Sequence, residues 1–364
     1  MLTNEFIEIY RANQLPVFQN RMFNTDEEAV NCIKGDVILV QDLKTGLIFN
    51  KEFKPELMRY DENYQNEQAV SNIFRTHLFK TSETIKKHFP EYKLIEIGCG
   101  KGYFLEYLDS LGFNIKGFDP AYEGSNSNII KNYFTKECGL NAEGIILRHV
   151  LEHVQNPIDF LKLIRNANGG GGKIYIEVPC FDWICAHRAW FDIFYEHVNY
   201  FRITDFTQIF GHVYETGHCF GGQYLYVIAD LASTKTPHIN TKKYFELPPN
   251  FTHMADHYVN YLKRKDRANT QTNTVIWGAS SKGVIFALFM LRAHTKIDFV
   301  VDINPAKQGK FLAGSGLQVS SPNQILTKLP PNSDIFVMNS NYLPEIKQIT
   351  NNHFNYHMVD HEFI

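Results

Sequence analysis

An α/β fold built on two parallel sheets is what this chain predicts, from three observations. Residues 94–123, LIEIGCGKGYFLEYLDSLGFNIKGFDPAYE, read as strand, glycine loop, helix, strand and terminal acid. Strand-like runs then alternate with helical patterns as far as about residue 230, the pattern of a doubly wound sheet. From Asn273 a second alternation begins with TVIWG, a glycine-serine loop, an apolar helix, IDFVVD ending at Asp302 and DIFVMN ending at Asn339. Both halves are therefore expected to be Rossmann-like, with no sequence repeat between them.

Residues 1–80 read as a small separate N-terminal domain. In it, VILVQDLKTGLIFN (37–50) predicts a hairpin around a Lys-Thr-Gly turn. Residues 81–235 form the glycine-loop domain. After the strand ending at Asp119 come a strand at 144–147, a helix over 157–167, the loose turn Gly169 to Gly172, a strand at 173–178 and two more near 212–217 and 223–229. Residues 236–270 are polar, with Pro248 and Pro249 ahead of a helical stretch, and are read as a linker helix. Residues 271–364 make the C-terminal domain. Its apolar run Val284 to Leu291 is far too short to span a bilayer and predicts a buried helix.

The glycines carry the first functional signal. Gly98, Gly100 and Gly102 follow an apolar strand, where a turn must visit backbone angles closed to other residues and a ligand must lie against bare main chain. Asp119 ends the next strand, where a carboxylate can accept hydrogen bonds from both hydroxyls of a ribose. The spacing is E-x-G-x-G-x-G from Glu96, not the dinucleotide pattern G-x-G-x-x-G. It resembles motif I of class I S-adenosylmethionine-dependent methyltransferases. That resemblance implies S-adenosyl-L-methionine as cofactor, with Gly98, Gly100 and Gly102 at its methionine part and Asp119 at its ribose. Glu96, Pro120 and His149 are placed in the same pocket. The competing readings are a tight turn without a ligand and a NAD-type site.

Composition narrows the classes. With 364 residues, two or three domains are expected. Thirty-six basic against 39 acidic residues give a net charge of −3, which offers no electrostatic footprint for nucleic acid or an anionic membrane. The N-terminus shows no secretory pattern, and the six cysteines form no C-x-x-C pair, so reduced thiols and a cytoplasmic location are expected. A monomer or homodimer acting on a small molecule fits these features.

Three segments extend the resemblance to nearly the whole chain. HVLEHVQNPIDFLKLI (149–164) resembles the segment after the fourth strand of class I methyltransferases. IYIEVPCFDWI…WFDIFYEHVNYF (174–201) and VIWGASSKG…VVDINPAKQGKFLAGSGLQVSSP (275–322) resemble the sugar C-methyltransferase family. The resemblance implies a small N-terminal domain, a central methyltransferase domain, a C-terminal Rossmann-like domain, and methylation of a ring carbon on a nucleotide-linked deoxy-ketosugar. Two departures stand out. Where the family places zinc-binding cysteines, this chain has Asp42-Leu43-Lys44-Thr45-Gly46 with only Cys32 nearby, so no zinc is expected. Where the family's sugar enzymes show Tyr-His-Glu-His, this chain has Phe194-Tyr195-Glu196-His197.

Methyl transfer to carbon needs a base, and an imidazole titrates near operating pH. His197 is the candidate base, and Glu196 the candidate carboxylate to orient it, on the condition that a turn lets two adjacent side chains converge. Tyr64, Tyr195 and Tyr200 are candidate phenols for a developing enolate oxygen. His149 is expected in the cofactor pocket and His153 on a helix surface. The pair flanks only Glu152, without an obvious third ligand, so no metal is expected. Glu177 either reaches the active site or forms a core hydrogen bond. An O- or N-methyltransferase acting on another small metabolite is the alternative enzyme, and a chain that only binds the cofactor or a nucleotide-sugar the non-enzyme alternative.

Overall fold

The computed structural model describes residues 5–58, 64–238, 244–268 and 271–361; positions 239–243 and 269–270 of the expected linker lie outside them. An antiparallel sheet opens the chain, pairing β1 (Phe6–Pro16) with β2 (Lys34–Asp42) and β2 with β3 (Ile48–Asn50). The β2–β3 turn is closed by Asp42, whose carboxylate accepts from the Lys44 N–H at 2.8 Å and the Thr45 hydroxyl at 2.9 Å. A carboxylate thus orders the turn that the resembled family gives to cysteines. This sheet does not close on itself. The segment Asn199–Tyr200, from far along the chain, adds to its β3 edge with Asn199 opposite Phe49 and Tyr200 opposite Ile48.

The central sheet is built from β4 (Leu94–Ile97), β5 (Ile115–Phe118), β6 (Ile129–Ile130), β7 (Gly144–Arg148), β8 (Lys173–Pro179), β9 (Val213–Cys219) and β10 (Tyr224–Asp230). Their order is β9-β10-β8-β7-β4-β5-β6, parallel except for β9 and β10. Side chains alternate across it. Ile95, Ile145, Leu147, Ile174 and Ile176 face one core, while Leu94, Ile146 and Tyr175 face the other. The second core also takes the apolar faces of α1 (Asn72–His88) and α2 (Tyr103–Ser110). Each fully buried aliphatic side chain contributes about 1.5–3 kcal/mol relative to exposure. By the same alternation Glu96, Arg148 and Glu177 leave their strands on the face of α1 and α2, at the carboxyl end. Arg148 stands directly opposite Glu177 in the ladder.

Beyond the helix α3 (Met254–Arg267), a second parallel sheet contains β11 (Thr274–Trp277), β12 (Phe299–Val301), β13 (Val319–Ser320), β14 (Asp334–Val337) and β15 (Asn355–Met358). Its order is β13-β12-β11-β14-β15. The run Val284 to Leu288 is buried within the helix α4 (Ser281–Arg292). This domain is tied to both others. Phe286 stacks on Trp190 of the central domain, Phe289 packs against it at a tilt, and Phe311–Leu312 pairs with Met22–Phe23 of the N-terminal one.

Candidate active site

At the carboxyl end of β4 the chain turns through three left-handed glycines, with φ of 72° at Gly98, 56° at Gly100 and 86° at Gly102. Side chains are excluded there for two reasons. A Cβ on Gly98 would overlap Val150, and one on Gly102 would overlap Ile129. Above Gly100 the space is open, which leaves main chain bare to a ligand. Asp119, half-buried at the end of β5, accepts from the Gly100 N–H at 2.8 Å and from the Ala121 N–H at 2.8 Å, and Pro120 beside it is exposed. Glu96 lies beneath the loop, 3% exposed, with Oε2 lacking a hydrogen-bond partner among the described residues. Burial, reinforced by the charges of Asp119 and Glu177 and opposed by Arg148, pushes its carboxyl up to about 7.

A cavity of about 240 Å³ opens between the three domains, with His149 on its wall nearest the glycine loop. Its central-domain wall carries Glu152, His153, Glu196 and His197. Tyr64 and Asn20 cover it from the N-terminal side, and Ser280, Ser281 and Lys282 close it from the C-terminal domain. His149 follows β7 with φ of 52°, a strained angle for a residue with a side chain. Its Nδ1 is 3.2 Å from Glu152 Oε1 and its Nε2 3.2 Å from Glu177 Oε1. Burial alone would lower its pKa, but these two carboxylates raise it to about 9. Glu177 is saturated, accepting from Arg148 Nη2 (2.9 Å), His77 Nε2 (3.0 Å), Tyr175 Oη (2.8 Å) and Thr81 Oγ1 (3.3 Å). Against the upward push of burial, Arg148 and the two histidines hold its carboxyl well below the usual range. Glu177 therefore both forms a core network and touches the site through His149.

His197 packs its ring on Phe194 with centroids 4.0 Å apart and meets the edge of His153 at 5.0 Å. Burial first, then His153, His149 and Lys282, hold its pKa well below the ordinary imidazole value. The expected pairing of Glu196 with His197 is not what the fold makes. Glu196 turns to the N-terminal domain, accepting from the main-chain N–H of Gln19 (2.6 Å) and of Asn20 (3.4 Å) and from the Tyr64 hydroxyl (2.7 Å). Two neighbouring side chains on this turn diverge, as they do on a strand. Tyr64 and Glu196 thus line the cavity together.

Tyr195 is corrected as a catalytic phenol. Its ring packs on Phe53, and its hydroxyl meets the Lys54 N–H at 2.9 Å and the Glu52 carbonyl at 3.3 Å, outside the cavity lining. Tyr200 is likewise spent on the Phe194 main chain. His153 is not on a surface. It sits in the one-turn helix Leu151–His153, with Nδ1 2.8 Å from the Glu196 carbonyl, and lines the cavity. It also has the neighbour that the sequence reading lacked, because one ring nitrogen each of His153 and His197 and a Glu152 oxygen lie within 4.8 Å of one another. Three contributors were missed. Glu152 was seen only as a residue between two histidines. Lys282, in the glycine-serine loop that opens the second α/β unit, was an available signal. Asp192, 3.1 Å from Lys282 Nζ across the domain boundary, had none.

Residues 61–213 match the family model of a methyltransferase domain, and residues 232–358 that of the C-methyltransferase C-terminal domain. The C-methyltransferase NovU of Streptomyces niveus is 24% identical over 70% of this chain and 67% of its own. A solved S-adenosylmethionine-dependent methyltransferase from Mesorhizobium loti is 10% identical, with a TM-score of 0.34, over 44% of this chain and 100% of that one. The plantazolicin methyltransferase BpumL in complex with SAH is 15% identical, with a TM-score of 0.35, over 46% of this chain and 88% of that one. S-adenosylmethionine fits the residues present. Bare main chain at Gly100 suits close approach, Asp119 offers acceptors at a strand end, and the orphaned Glu96 oxygen puts negative character under a site for a cation. The two matches, one after the other in the chain, identify an S-adenosylmethionine-dependent methyltransferase that carries a C-methyltransferase C-terminal domain.

Proposed function

We propose that this enzyme methylates a carbon beside the ketone of a nucleotide-linked deoxy-ketosugar, with His197 as the base that removes the carbon's proton. The observation that carries the reading is the state of His197. Its ring borders the cavity and has no side-chain hydrogen bond among the described residues, and burial, with His153, His149 and Lys282 nearby, holds its pKa well below the ordinary imidazole value. An unprotonated imidazole can accept a proton, and carbon becomes a nucleophile here only once that proton has gone. S-adenosylmethionine, when bound, supplies the electrophilic methyl group. Tyr64 presents a phenol on the same cavity, suited to a developing enolate oxygen.

The opposite wall supports a diphosphate. The glycine-serine loop before α4 brings Lys282 to the cavity, with Ser280 and Ser281 beside it at the helix N-terminus. Among the described residues no helix is long and apolar enough to cross a membrane. A cytoplasmic monomer or homodimer is part of this proposal.

The test is turnover on a thymidine diphosphate-linked 4-keto-6-deoxysugar. Replacing His197 with Ala should lower methylation by roughly 10²–10⁴-fold, the usual worth of a general base, with S-adenosylhomocysteine binding retained by calorimetry. Unchanged turnover would overturn the base. A second reading, O- or N-methylation of another metabolite, is favoured by Phe194, which puts a ring without a hydroxyl against His197. A product carrying its new methyl on oxygen or nitrogen would select it.

A further inference from the structure

Two carboxylates approach the His197 end of the cavity, and they are not equally satisfied. Glu196 accepts three hydrogen bonds from Gln19, Asn20 and Tyr64. Glu152 is 1% exposed, yet only Oε1 has a partner, His149 Nδ1; Oε2 has none among the described residues. Buried carboxylate oxygens are ordinarily hydrogen-bonded, so one left open on a cavity wall asks for an explanation. His153 does not supply the missing donor. Its Nδ1 donates to the Glu196 carbonyl, and no hydrogen bond joins its other ring nitrogen to Glu152. The neutral His197 ring has one N–H as well; the protonated ring has two.

We infer that Glu152 is the positioning residue for His197, receiving the N–H that appears when His197 takes the acceptor's proton, with Glu177 holding Glu152 in place through His149. The inference rests on the proposed base. In the step itself the C–H electron pair stays on the acceptor as the enolate and the proton goes to a His197 ring nitrogen. The cationic ring turns an N–H to Glu152, and the proton passes to solvent after the product leaves. Glu152, His153 and His197 lie within 4.8 Å of one another with no hydrogen bond between Glu152 and His197, and a small side-chain shift or one water would make one. His149 meets Glu152 through Nδ1 at 3.2 Å, and its Nε2 faces Glu177 at 3.2 Å as an ion-pair contact without hydrogen-bond geometry. The charged and titratable groups around His197 are Glu152 and His153 from the turn after β7, His149 from the end of that strand and Lys282 from α4. Asp192 is paired to Lys282, and Glu196 precedes His197 in the chain.

The experiment is a histidine titration by NMR on the full chain, without acceptor. The His197 signal is identified among the 15 histidines by its loss in His197→Gln. In Glu152→Gln the proton affinity of His197 should fall about tenfold, one unit in its midpoint. Turnover on the ketosugar probe should fall roughly 10–100-fold with KM little changed, and the acid limb of its pH profile should move with the midpoint. Glu196→Gln should raise KM, through Tyr64, and leave that midpoint where it is. Glu152→Asp, which draws the carboxylate back by one carbon, should act in the same direction as Glu152→Gln and serves if the amide variant does not fold. A midpoint that moves in Glu196→Gln but not in either Glu152 variant overturns the inference. So does activity lost to EDTA and restored by zinc, which would give the three groups to a cation. A midpoint shift without turnover on any ketosugar keeps the Glu152–His197 pair and removes the acceptor reading instead.

Discussion

Glu96 and Glu177 leave the central sheet on the same face, one strand either side of Arg148, and meet opposite fates. Glu177 accepts from five side chains, Arg148, His77, Tyr175, Thr81 and the Cys219 thiol, and is held well below its usual titration range. Glu96 keeps an unpartnered oxygen and is pushed up to about 7. The cation between them is shared unequally, because Arg148 donates to Glu177 at 2.9 Å and reaches Glu96 only through space. Glu177 is thus held by many donors, while Glu96, one strand beyond Arg148, keeps an oxygen that no described residue partners. The contrast lies between these two carboxylates, since Glu152 on the cavity wall also keeps an open oxygen.

The largest effect that tests this contrast is on Glu177. Glu177→Gln removes the charge that pairs a buried arginine, and breaking one partner of a buried pair typically costs about 3–5 kcal/mol. The melting temperature should drop by several degrees, and a loss below about 1 kcal/mol would mean the network is decoration. The pH dependence has a fixed sign. His149 is raised to about 9, so what it contributes is complete below its ordinary value and is lost as pH climbs through 9. Glu177 is lowered, so its contribution is present above the ordinary carboxylate range and lost on acidification. Thermal melts should therefore show stability falling as pH rises from about 6.5 to about 9 and levelling off above that, and in Glu177→Gln, which lowers the His149 pKa, that fall should end at lower pH.

On the cofactor side the corresponding variant is mild for the fold and severe for binding. Asp119→Ala removes two hydrogen bonds to exposed or half-buried N–H groups that water can replace. The melting temperature should scarcely move. Calorimetry should show S-adenosylhomocysteine binding weakened by roughly 10–100-fold, the worth of hydrogen bonds to a charged group. Equal loss of stability and affinity would erase the contrast between the two ends.

The same contrast explains what the sequence made legible. The cofactor site is nearly continuous, from Glu96 through Gly102 to Asp119, and local spacing dictates its backbone, so it could be read along the chain. So could the sheet strands, whose alternation is a property of each segment. The acceptor cavity is assembled from Asn20, Tyr64, the 149–153 turn, the 192–197 turn and the 278–283 loop, which only the tertiary fold brings together. Sequence reasoning found His197 by its chemistry but paired it with its neighbour Glu196. The direction of a side chain on an irregular turn is set by what lies opposite, here Gln19 and Asn20 in the bend after β1, 177 and 176 residues away. Tyr195 failed for the same reason, since Phe53 and the Lys54 main chain claim it.

The smallest effect is the sharpest test of the comparison. Glu96→Gln keeps the shape of the side chain and removes a charge that the fold disfavours. With a folded pKa raised to about 7, Glu96 favours the folded state most below its ordinary value, and that advantage is lost as pH rises to 7. The variant should accordingly gain about 1–2 kcal/mol at pH 8 and nothing at pH 5, measured by urea unfolding at both. The gain has a functional counterpart. S-adenosylmethionine carries a sulfonium charge and S-adenosylhomocysteine does not, so loss of the Glu96 carboxylate should weaken the first a few-fold and leave the second unchanged. A variant that gains nothing at pH 8 would mean that Arg148 compensates both glutamates alike. The two strand ends would then differ in hydrogen bonding but not in free energy.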